Sequence, residues 1–150
     1  MKPVGLRIAT PGDAEAIARL MRASMSSHDW MPKLHSAEED LAFIRDLILP
    51  SHKVVVAHRQ TIIVGFAATK EGWLGQLYVA PGFTDKGLGA RLLAQATEGL
   101  DCVRLYCFQQ NHGARRFYER AGFQAEAFTD GEDNEEGLPD VLYVRRSRAG

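Results

Sequence analysis

A single domain of mixed α/β class follows from three features of the sequence. Val54-Val55-Val56-Ala57 and the run from Ile62 to Ala68 are apolar and β-branched, joined by a short turn through His58, Arg59, Gln60 and Thr61, which is a hairpin pattern. Trp73 to Val79 and Val103 to Phe108 read as two further strands separated by a helical stretch from Gly87 to about Glu98. A strand–helix–strand crossover of that length suggests parallel neighbours. Finally, Ile17, Leu20, Met21 and Met25, and then Leu41, Phe43, Ile44, Leu47 and Ile48, recur at helical spacing.

The 150 residues suit one domain, 1–150, and are enough to bury a sizeable core. Apolar content of 45% and charged content of 25% are ordinary for a globular chain. A net charge of −1 with no basic stripe argues against a nucleic-acid partner. No apolar run approaches membrane-spanning length, and the start lacks a signal-peptide core, so a cytoplasmic, membrane-free protein is expected. Cys102 and Cys107 fall five apart in one strand and face opposite sides of it, so they cannot pair there. Two cysteines without CxxC spacing offer no zinc site, and no metal is expected.

Taken in order, Leu6 to Thr10 alternates as a first strand, and Asp13 offers an N-cap for the first helix. A polar and aromatic stretch follows, with His28, Asp29, Trp30 and His35. Ser36-Ala37-Glu38-Glu39 is a capping box that should start a second helix, and Pro50 is expected to stop it. Glu71-Gly72 marks a turn before Trp73, and Gly99 a C-cap after the crossover helix. Asp130 to Glu136 is an acidic loop, which fails the calcium pattern because Glu135 stands at the required glycine. It is expected to be solvated, with steering of a cationic amine as the sharper alternative.

Two stretches carry the chemistry. The first is Pro81-Gly82-Phe83-Thr84-Asp85-Lys86-Gly87-Leu88-Gly89-Ala90, where two glycines open a helix and bring unpaired N–H groups to a point suited to a phosphate. A dinucleotide fingerprint would need glycine at Leu92, and a nucleotide P-loop would need lysine at Leu88. The second is Asn111-His112-Gly113-Ala114-Arg115-Arg116-Phe117-Tyr118-Glu119-Arg120-Ala121-Gly122-Phe123, a helix with Asn111 as N-cap and Gly122 as C′ glycine. Each alone also fits a plain turn or a core helix.

Together, in this order and one strand apart, they resemble the two motifs of the GNAT superfamily of acetyl-CoA-dependent N-acetyltransferases. Residues 84–89 stand where that family has [QR]-x-x-G-x-[GA], and residues 111–123 match N-x-x-A-x-x-F-Y-x-x-x-G-F at every fixed position. The resemblance covers most of the chain, through a closing strand near Val141 to Val144. It implies a mixed, mainly antiparallel sheet of about six to seven strands flanked by about four helices, with two central parallel strands splayed around the cofactor.

By the same resemblance, the backbone of Leu77, Tyr78 and Val79 pairs with the pantetheine arm of acetyl-CoA. Thr84, Asp85, Lys86, Gly87, Leu88, Gly89 and Ala90 hold the pyrophosphate. Asn111, Ala114 and Phe117 face the pantetheine or adenylate, and Tyr118 is the general acid at the leaving sulfur. The implied reaction is direct acetyl transfer to a primary amine; the acceptor is a small amine or an exposed protein amine, with a small molecule the favoured expectation. A homodimer is one implied assembly. Two departures stand out: Thr84 replaces Gln or Arg, and Asp85 brings a negative charge beside an anion site. The family's usual glutamate falls on Trp73, so the base is unassigned; Glu71, two residues earlier, would share its strand face if the strand reached that far. His28, Trp30 and His35 come from the segment expected to wall the acceptor, and a histidine there can titrate near neutrality. Two rivals are a ping-pong route through Cys107 and a non-catalytic acyl-CoA-binding sensor.

Overall fold

The strands Gly5–Ile8 (β1), Lys53–Arg59 (β2), Ile62–Lys70 (β3), Trp73–Val79 (β4), Cys102–Phe108 (β5), Gln124–Phe128 (β6) and Asp140–Arg146 (β7) form one sheet of order β1-β2-β3-β4-β5-β7-β6. This is a computed structural model that describes residues 3–83 and 87–147, so Thr84, Asp85 and Lys86 lie outside the described residues. Every neighbouring pair is antiparallel except β4–β5, which is parallel. The helices are Ala14–Ser26 (α1), Ala37–Ala42 (α2), Leu49–Ser51 (α3), Leu88–Ala96 (α4) and His112–Arg120 (α5). The mixed, mainly antiparallel sheet with one parallel central pair is the architecture expected from the sequence.

Strand alternation gives the sheet two apolar faces, and each face has its own core. Val55, Ala57, Val64, Leu74, Val103, Leu105, Cys107, Val141 and Tyr143 pack with Leu88, Leu92, Leu93 and Ala96 of α4. On the other face Val54, Val56, Phe66 and Ala68 pack with Ile17, Ala18, Leu20 and Met21 of α1 and with Ile44 and Ile48. Asp40 is 5% exposed, yet its carboxylate accepts from Arg22 Nη1 at 2.7 Å, so the buried charge is paired.

Four local expectations shift. Asp13 stands at the N-cap position of α1, but its carboxylate does not bond that helix; the residue ends a 3-10 turn, Pro11–Asp13, and accepts from the Thr10 N–H at 2.7 Å. Pro50 does not stop the second helix. α2 runs through a π-helical segment, Phe43–Ile48, into α3, and the Leu49 N–H donates to Ile44 five residues back. The wide turn accommodates Pro50, whose ring would crowd the carbonyl of residue 46 in an α-helix. It also carries Leu47 out of the apolar face, to 53% exposed. At the other end of the crossover, α4 stops at Ala96 rather than near Glu98, and Thr97 closes it, its N–H and its hydroxyl both donating to the Leu93 carbonyl at 3.0 and 2.7 Å.

The Arg7–Asp13 pair, bonded at 2.8 and 2.9 Å, ties β1 to that 3-10 turn. The Arg7 guanidinium holds the Asp13 carboxyl down to about 2 against a modest opposing effect of burial, with the Thr10 N–H helping. An unfolded carboxyl titrates near 3.9. The pair's stabilisation is therefore complete above about pH 4 and is lost as pH falls towards 2. Asp13→Asn is expected to flatten the acid limb of the stability curve between those values. A denaturant series across pH 2–5 with parallel limbs for both proteins would contradict the assignment.

Candidate functional site

The site begins where the parallel pair fails. β4 and β5 meet at Trp73 opposite Arg104, with the Arg104 N–H donating to the Gly72 carbonyl at 2.9 Å. Beyond that point no further β4–β5 pairing continues among the described residues, while β4 stays paired to β3 and β5 to β7. The two strands part. Backbone polar groups on the β5 side of β4 are left for another partner as the strand runs to Val79.

A bulge aims the side chains along β4. Thr69 faces Leu74 and Ala68 faces Gln76, so Gly75 is the extra residue. After it, Leu77 and Val79 pack on the α4 side, while Tyr78 turns to the α1 side and stacks on Phe66 at 5.6 Å. Burial pushes the Tyr78 phenol up to about 12, helped by the charges of Glu136 and Asp40.

Gly87 caps α4 with φ of 71°, a left-handed turn that a side chain would strain. At Gly89 the constraint is contact rather than torsion. A Cβ there would stand 3.3 Å from two ring atoms of Phe117, so the start of α4 lies directly against α5. Leu88 is buried beneath this turn and Ala90 is exposed. The opening of α4 thus presents unpaired N–H groups beside the parted strands.

Across the gap, Asn111 Oδ1 accepts from the Ala114 N–H at 3.2 Å, capping α5 as the sequence suggests. Ala114, Phe117 and Tyr118 pack half-buried on the α4-side core. The Tyr118 ring meets Phe117 and Phe123 edge-on at 5.2 and 5.6 Å. Burial, with Cys107 and Tyr78 adding to it, pushes the phenol far above its ordinary value, so it is a proton donor throughout the neutral range. α5 is held to β7 by a relay invisible in any local motif: the Tyr143 hydroxyl donates to Glu119 at 2.8 Å and accepts from Arg115 at 3.0 Å. The one clue was a tyrosine in an apolar strand, whose buried hydroxyl needs partners.

The acceptor candidates divide. His28 stacks on Trp30 at 4.8 Å, and Trp30 meets Phe108 edge-on at 5.7 Å, so this segment reaches the far end of β5. His35 is exposed and contacts Glu135 at 2.5 Å and Glu39 at 3.7 Å. Desolvation, the largest single effect, lowers its pKa, but Glu135, Glu39 and Asp40 together outweigh it and raise the imidazole above its ordinary value. The acidic loop therefore meets the residue-35 segment, a contact no spacing foretold. Thr129 and Asn134 both donate to the buried Asp140 carboxylate and fix that loop at its base. Glu71 is not brought in. It lies in the exposed β3–β4 turn with φ of 52°, ahead of the strand, about 20 Å along β4 from Leu77.

The residues present fit an extended thioester cofactor: open strand edges, a glycine-flanked helix start and an apolar wall ending in a protonated phenol. Among the described residues no helix is long and apolar enough to cross a membrane. The fold is similar to that of PaiA N-acetyltransferase from Thermoplasma acidophilum in complex with coenzyme A, with a TM-score of 0.74 and 21% identity over 97% of this chain and 99% of that one. It is similar also to yncA from Salmonella typhimurium, solved with its cofactor acetyl-CoA, at TM-score 0.76 and 19% identity over 96% and 94%. An acetyltransferase from Thermus thermophilus superposes at 0.75 with 21% identity over 98% and 100%. The model of the acetyltransferase (GNAT) domain matches residues 50–125, from the end of the second helix through both motifs, and the chain belongs to the GNAT acetyltransferase family.

Proposed function

We propose that this protein moves an acetyl group from acetyl-CoA to the primary amine of a small acceptor by direct transfer. The observation that carries the reading is the parting of β4 and β5 beside the opening of α4, with Tyr118 on the facing helix. Two relatives of the same fold are solved with coenzyme A or acetyl-CoA, which supports the choice of cosubstrate. Bound acetyl-CoA supplies a thioester, from which the acetyl carbon is taken as a C–N bond forms and the C–S bond breaks.

The chain's own groups then have distinct tasks. The backbone of Leu77 to Val79 orients the pantetheine arm along its β5-facing edge and offers an N–H to the acetyl oxygen, where negative charge grows. Gly87, Leu88, Gly89 and Ala90, with Thr84, Asp85 and Lys86, hold the pyrophosphate against the helix start. Asn111, Ala114 and Phe117 border the arm, and Tyr118 gives its proton to the departing sulfur and regains one, through water, from the nitrogen that has been acetylated. His28 and Trp30 line the acceptor side. The His35–Glu135 contact joins the two loops bordering that side, which suits a small amine better than an extended chain.

Cys107 is unsuited to a ping-pong route. Burial pushes its thiol up to about 12, so almost no thiolate exists at neutral pH.

Calorimetric titration with acetyl-CoA, followed by thiol release against a panel of amines, tests the proposal. Micromolar binding with amine-dependent release is the expected result. Binding without release by any amine would favour a sensor, and no binding would overturn the reading.

A further inference from the structure

We infer that Arg59 is a phosphate-binding residue that supplies, from β2, the positive charge missing at position 84. The inference rests on the coenzyme A reading above.

β2 runs antiparallel to β3 and β3 antiparallel to β4, so the end of β2 lies at the same edge of the sheet as the end of β4. Val55 and Ala57 of β2 pack on the α4 side, and α4 crosses this strand. Arg59 is the last residue of β2. Its guanidinium carbon stands 4.7 Å from the centre of the Phe83 ring, over the residue that precedes Thr84. The contact holds the guanidinium at Phe83, four residues before Gly87 in the sequence, without using a hydrogen-bond donor.

The donors are what remain. Arg59 Nε is buried and makes no hydrogen bond among the described residues, the one side-chain polar atom there in that condition. A buried N–H left unmade is costly, and such orphans call for an explanation. A planar, permanently charged fork is matched to a doubly anionic pyrophosphate. The family motif places Gln or Arg at 84, and this chain has threonine there. Arg59 stands in for that side chain from the neighbouring strand end.

The test is calorimetry of wild type, Arg59→Gln and Arg59→Lys with three ligands: coenzyme A, 3′-dephospho-coenzyme A and pantetheine. Arg59→Gln is expected to weaken both coenzymes about tenfold or more, which is ~1.4 kcal/mol. Its affinity for pantetheine, which has no pyrophosphate, should match wild type. Arg59→Lys should recover part of the loss, and the wild-type advantage should shrink as salt rises. Equal affinity of Arg59→Gln and wild type for coenzyme A would overturn the inference while leaving the function reading intact. A loss confined to coenzyme A would transfer the residue to the 3′-phosphate and overturn it too. Loss that vanishes in an Asp85→Asn background would mean Arg59 only neutralises that carboxylate, a third refutation. Wild type that binds neither coenzyme would overturn the function reading and this inference together. Should Arg59→Gln melt early, Arg59→Lys and the salt dependence carry the comparison.

Discussion

Tyr118→Phe is expected to lower kcat about 100-fold while leaving acetyl-CoA affinity within about twofold of wild type. The phenol sits among Phe117, Phe123 and Tyr143 in an apolar wall, and removing one oxygen leaves that packing in place. Binding of the arm should therefore survive. The departing sulfur, by contrast, loses its proton donor, and positioned general acids contribute about 10²–10⁴-fold. Because burial raises the phenol well above 10, its own ionisation should not limit the rate anywhere below about pH 10. Stopped thiol-release assays across pH, with calorimetry on the same variant, separate the two effects. A kcat within threefold of wild type would remove Tyr118 from the chemistry.

Phe66→Ala is expected to be the most damaging single truncation for stability, at about 3–5 kcal/mol. Phe66 is fully buried at the centre of β3, among the α1-side residues, and its ring supports Tyr78 of β4. Truncation removes the transfer free energy of the ring and leaves a cavity that flanking strands cannot close. For a chain of this size that is a fall in melting temperature of about 10 °C. Phe66→Leu should recover most of it, since a leucine refills much of the volume. Because Tyr78 would lose its support, KM for acetyl-CoA should also rise in the surviving folded fraction. A melting temperature within 2 °C of wild type would show that the core relaxes around the site.

Local chemistry explains what could be read ahead. Ser36 and Glu39 form both halves of their capping box, Asn111 caps α5, and Gly122 has the left-handed φ of 96° that a C′ residue needs. These are interactions within four residues, so the sequence holds all their parts. The motif at 111–123 placed Tyr118 on one helix face for the same reason. Asp13 and Pro50 were misread because each answered to a competing local partner: the Thr10 backbone and a π turn.

By itself the sequence determined the element types, the crossover between β4 and β5, the family motifs and their order. Their periodicity and capping are properties of short windows. Only the tertiary structure decided where β4 and β5 part, that Gly75 bulges and re-aims Tyr78, and that Glu71 stays in a distant turn. It alone brought His35 to Glu135, tied α5 down through Tyr143, and set Arg59 over Phe83. Those pairs are separated by 24 to 100 residues, and nothing in a local window encodes which distant partner the sheet register will deliver.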